Sequence, residues 1–182
     1  MSEPTVSALA IQARARRAYE SGRLAFALRR AVWLVPLVWL ASSGCSEPAA
    51  ILAGGAGLVA AVTFCLWRGE AWRRGVAPGL LAGSIPMLAP TVLHAARHVC
   101  TGGVCLLMPT LCILAGIAGG LALGALAPRP REAGGAPFLS ACLIAGFAGS
   151  VGCLIYGTIG VGAMTLGLLA GATPVLAVRR PR

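Results

Sequence analysis

Fourteen of the 15 arginines stand in four clusters, at residues 14–30, 68–74, 129–131 and 179–182, and apolar stretches of helix length separate the clusters. The intervening turns at 44–48, 94–105 and 157–158 hold only Arg97. Arginine-rich loops are retained on the cytoplasmic face of a membrane, and the rule depends on counts of Lys and Arg, not on net charge. The apolar stretches are 31–43, 49–67, 75–93, 106–126, 137–156 and 159–178. Six crossings put every arginine cluster on one side. The pattern therefore predicts an all-α polytopic bundle of six transmembrane helices with both termini cytoplasmic, in the inner (plasma) membrane of a bacterial-type cell. Residues 1–30 form an arginine-rich juxtamembrane helix and 31–182 the transmembrane domain.

Apolar residues make up 58% of the chain and charged ones 11%, against roughly a quarter charged in an ordinary soluble domain. A formal charge of +10 would suggest nucleic acid in a soluble protein. Here membrane topology and attraction to anionic lipid at the cytoplasmic face account for it, so no nucleic-acid partner is expected. Trp33, Trp67 and Trp72 fall near the inner interface and Trp39 and Tyr156 near the outer one, where amphipathic rings concentrate.

The basic N-terminal segment carries a thin stripe of Ala8, Ile11, Ala15, Ala18 and Tyr19 among its arginines. It reads as a solvated juxtamembrane helix whose arginines set topology, with contact to the lipid surface as the alternative. The stretch 31–43 is short for a ~30 Å hydrocarbon core, and Arg29 and Arg30 can snorkel to extend it. Ser42-Ser43-Gly44-Cys45 bears some likeness to a bacterial lipoprotein cleavage site, but Leu40 lies too early and the basic leader is long. An uncleaved first span is the expectation.

Gly116, Gly120 and Gly124 recur every fourth residue, as do Gly167 and Gly171. Such strips let helix backbones approach closely. Contacts within the chain are expected first and a homo-oligomer second. The segments 73–83 and 131–146 both open with Arg and a Gly-x-Ala-Pro step, so the third and fourth spans echo the fifth and sixth.

With these boundaries the spans hold no Asp, Glu, Lys, Arg or His, which disfavours proton relays, ion-coupled transport and intramembrane proteolysis. Thr63, Ser84, Thr110, Ser140 and Thr165 are expected to bond their own helix carbonyls. Cys65, Cys142 and Cys153 are expected to pack as small hydrophobes. Chemistry concentrates in one outer loop. His94 and His98 share a helix face if the third helix continues, Cys100 follows, and Thr101-Gly102-Gly103 turns the chain back toward Cys105. Two imidazoles and two thiolates match the donors of zinc, and the thiolates also suit copper(I) or another thiophilic metal. Cys45 and Cys112 are further candidate ligands. In an oxidising compartment a Cys100–Cys105 disulfide is the leading alternative to a metal. Pro86, Pro90 and Pro109 flank this loop.

Six short spans, a cytoplasmic basic helix and outer-loop cysteines resemble, in topology alone, the membrane anti-sigma proteins that sense metal or oxidative stress. The resemblance implies a non-enzymatic protein whose outer loop senses metal or thiol oxidation and whose basic helix signals to a cytoplasmic protein partner. A metal-ion permease or efflux component, and a structural or assembly subunit with a disulfide-closed loop, are the other readings of the same residues.

Overall fold

A computed structural model describes residues 6–42, 48–95, 107–128, 135–154 and 157–178, and all regular structure among them is helical. The elements are α1 (Val6–Ala31), α2 (Val35–Ser42), α3 (Pro48–Arg68), α4 (Glu70–Arg73), α5 (Val76–Ala95), α6 (Leu107–Leu126), α7 (Gly135–Cys153) and α8 (Gly157–Val178). Three helices, Ala49–Arg68, Gly135–Cys153 and Gly157–Val178, are long and apolar enough to cross a membrane, and Thr110–Leu126 is a shorter apolar helix. Ala82, Ala141 and Ala145 are fully buried, whereas Leu114 is 61% and Leu166 67% exposed. Ile51, Leu58 and Ile144 are buried as well, so apolar side chains lie on both sides of the helices, as suits a membrane protein, whose surroundings are as apolar as its core.

A single turn of 3-10 helix, Val32–Leu34, joins α1 to α2, and the N–H of Val35 bonds the carbonyl of Val32. Pro36 explains the tightening, because it has no N–H to offer the carbonyl four residues earlier. The helical path thus runs from Val6 to Ser42 without a loop. On α1 the side chains from Ala10 to Gly22 are all exposed, including Ile11 and Tyr19, and only Ala27 and Ala31 are buried.

Between α3 and α4, Gly69 has φ 136°, a conformation that side-chain-bearing residues rarely adopt. The chain then recovers at once, with Arg73 N–H bonding Gly69 O at 3.0 Å and Gly79 N–H bonding Gly75 O at 3.0 Å. Three arginine–aromatic stacks lie at this end, Arg23 on Tyr19 at 5.6 Å, Arg30 on Phe26 at 4.9 Å and Arg68 on Phe64 at 5.9 Å. Each couples a cation to a ring one helical turn away.

Close packing follows the glycines. A Cβ on Gly79 would lie 3.0 Å from Cα of Ala141, one on Gly83 2.7 Å from Cβ of Ala148, and one on Gly152 2.5 Å from Cα of Met87. The register advances in the same direction on both helices, so α5 and α7 run parallel. In α6 and α8, Gly116 meets Gly167 and Gly120 meets Ala172, again in parallel. The hairpin α5–α6 therefore docks on the hairpin α7–α8 like on like. Gly54 facing Val151 and Gly57 facing Phe147 make α3 antiparallel to α7, and Gly55 receives Val38 of α2. Ala31, Leu58, Val62, Cys65, Val76, Ile144 and Ala148 form one core across α1, α3, α5 and α7. These directions gather the described arginines toward one end of the bundle. At the other end lie the C-termini of α2, α5 and α7 and the N-termini of α3, α6 and α8.

Ser84, Ser140 and Thr165 bond carbonyls of their own helices, at 2.8, 2.9 and 2.7 Å. Thr63 departs from that expectation, since its Oγ1 is buried and has no hydrogen-bond partner among the described residues.

Candidate functional site

The loop that concentrates His and Cys falls mostly outside the described residues. His98, Cys100, Cys105 and Cys45 lie there, as does any Cys100–Cys105 disulfide, while His94 belongs to the last turn of α5. Cys112 is described, and it is wholly buried on α6. Among the described residues no three His, Cys, Asp or Glu side chains gather as a metal site.

Cys112 instead shares a buried cluster with Cys153, the last residue of α7. Both are free thiols with no exposed surface. Ala163 and Met164 of α8 complete a buried cluster around them. Local sequence explains how each side chain arrives. Cys112 precedes Gly116 by one turn, so the glycine face that draws α6 onto α8 also carries this thiol into the seam. Met164 stands three residues before Gly167 on the facing helix. Gly149 and Gly152 let α7 sink against Pro86, Met87 and Met164, and a Cβ on Gly149 would lie 3.0 Å from Met164 Sδ.

Pro86 supplies the polar contact. The thiol of Cys153 donates to its carbonyl oxygen at 3.9 Å, a distance ordinary for a weak sulfur donor. That carbonyl is available because Pro90 has no N–H to bond it within α5. Four helices thus converge on two thiols, a thioether sulfur and a carbonyl freed by proline. Sequence reading took Cys153 as core packing and Cys112 as an adjunct of the loop, and did not join them. The glycine register, extended one turn toward the N-terminus of α6 and of α8, was the signal that places Cys112 and Met164 on one seam.

At the arginine end, a groove of about 660 Å³ lies between α1 and the α3–α4 turn. Tyr19, Arg23, Phe26, Leu66, Glu70 and Arg73 line it. Glu70 lies 3.8 Å from Arg73 and 3.7 Å from Arg74, in pairs exposed to solvent, so they hold little energy. Cys65 is buried and Cys142 half-buried, each packed among apolar side chains. No protein-family model, curated protein or solved structure matches the chain.

Proposed function

We propose that this chain is a non-enzymatic inner-membrane protein of six spans, with both termini cytoplasmic, that senses metal or thiol oxidation at its outer face. The observation that carries the reading is the placement of the donors. α5 ends and α6 begins at the end opposite the described arginines, where the connecting segment with His98, Cys100 and Cys105 is expected, and Cys112 and Cys153 are buried near that end. The continuity of α1 and α2 supports the first crossing, since residues 31–42 provide about 18 Å of apolar helix at 1.5 Å per residue, which Arg29 and Arg30 can extend by snorkelling. The arginine counts set its direction.

A change at the loop acts on α5 and α6 together. Through α7 it reaches α3 and then α1, whose face from Ala10 to Gly22 is exposed and open to a cytoplasmic protein partner, a second copy or anionic lipid. The test is labelling of intact cells with a membrane-impermeant maleimide, on the protein with its outer cysteines intact, with and without reductant and chelator, the labelled residue being identified by peptide mapping. Protection of Cys100 or Cys105 that is lost on chelation supports metal sensing, and protection lost on reduction supports oxidation sensing. Labelling indifferent to both treatments sinks the reading.

A further inference from the structure

We infer that Cys112, Cys153 and Met164 form an intramembrane binding site for a soft monovalent metal cation, with copper(I) the ion their chemistry suits. Cys112, Cys153 and Met164 are buried together in one cluster shared by α6, α7 and α8, and Cys153 donates to the Pro86 carbonyl beside it. Soft sulfur ligands select copper(I), which thiolates and thioethers bind in preference to the oxygen ligands of hard cations. Zinc in structural sites takes four nitrogen or sulfur ligands, more than this cluster contains.

Charge balance also favours a monovalent ion. Binding is written as Cu⁺ plus one thiol giving a copper thiolate and H⁺, with no electron transferred. The cation replaces a proton, so the apolar interior gains no net charge and the cost of burying an ion there is avoided. The second thiol remains a hydrogen-bond donor toward the thiolate or the Pro86 carbonyl, whose negative end points at the site. Met164 supplies a neutral third sulfur. Release of one proton makes the apparent affinity rise about tenfold per pH unit while the thiol is protonated in the free protein.

The site is independent of the outer loop, and so is its test. The reduced full-length protein in detergent is titrated with copper(I) in competition with bicinchoninate. A variant carrying Cys45→Ser, His94→Ala, His98→Ala, Cys100→Ser and Cys105→Ser is expected to bind one equivalent. Adding Cys112→Ser or Cys153→Ser is expected to weaken binding at least about 100-fold, and Met164→Leu about tenfold. Sulfur-only coordination in the X-ray absorption spectrum of the loop-less variant is the second readout, and it does not require the serine variants to fold. Absence of copper(I) binding by the loop-less variant, or nitrogen ligation in its spectrum, overturns the proposal. Binding that survives both serine substitutions overturns it too. Binding here, together with outer cysteines indifferent to chelator and reductant, would retain this site and remove the sensing role.

Discussion

Gly116 and Gly167 meet backbone to backbone across α6 and α8. A Cβ built on Gly116 would lie 3.1 Å from Cα of Gly167, and one built on Gly167 would lie 3.0 Å from Cα of Gly116. Each would also strike a carbonyl, of Met164 and of Ile113 respectively. Helix backbone cannot give way as a side-chain tip can, so the seam is specified by the missing atoms.

Gly116→Ala and Gly167→Ala are each expected to destabilise the fold by about 1–3 kcal/mol. The double variant should fall short of the sum, because both changes break one contact. Gly146 and Gly162 have nothing within 4 Å of a built Cβ. Alanine there should be neutral or stabilising by up to about 1 kcal/mol through helix propensity. Thermal unfolding in detergent separates the two classes, and equal effects at all four positions would refute the assigned seam.

Thr63→Val is expected to stabilise the protein by about 1 kcal/mol, since it exchanges an unsatisfied buried hydroxyl for a methyl of similar size. Ser140→Ala should change less, because that hydroxyl bonds Pro137 O at 2.9 Å and leaves the interior with its bond. Chemical unfolding of the two variants in parallel checks the order.

Gly69 and Gly157 both have positive φ, 136° and 76°. Asparagine tolerates the left-handed helical region near Gly157 but not the extended positive-φ region of Gly69. Gly69→Asn should therefore cost about 1–3 kcal/mol and Gly157→Asn markedly less. A Cβ on Gly69 would come no nearer than 3.7 Å to Arg23 Nη2, so its cost is conformational strain and not a clash. A reversed order in melting temperature would contradict this account.

Replacing Arg14, Arg16 and Arg17 with glutamine should weaken binding of an α1 peptide to anionic vesicles by about 1 kcal/mol per residue, and salt should reduce the remainder. Glu20→Gln removes a pair exposed to solvent, Arg16 Nε to Glu20 Oε1 at 3.1 Å. Its effect on helix stability should stay below about 0.5 kcal/mol. Vesicle sedimentation across ionic strengths measures the first effect and circular dichroism the second.

The helical class and the use of the glycine strips for contacts within the chain were legible in the sequence, because small residues at fixed spacing let backbones approach, whereas which helices pair was not. Neither was the shared burial of Cys112 and Cys153. Both faces of these helices are apolar, so the polar–apolar alternation that orients a soluble helix carries almost no signal. The first apolar segment stays short in the structure, from Ala31 to Ser42, but it continues the helix of Arg29 and Arg30 without a loop, since Pro36 tightens one turn without ending the helix. Thr63 was expected to bond its own helix, and no spacing rule distinguishes it from Thr165, which does. The donor cluster His94, His98, Cys100 and Cys105 was located by residue type, which fixes neither its pairing nor its geometry.

Parallel docking of α5 on α7 and of α6 on α8 has a consequence for biosynthesis. α5 and α6 are translated before α7 and α8, the helices that their glycines meet. Assembly then waits on the last forty or so residues of the described chain. Cys112 is fully packed only once α7 and α8 have been made, because Cys153 and Met164 belong to them.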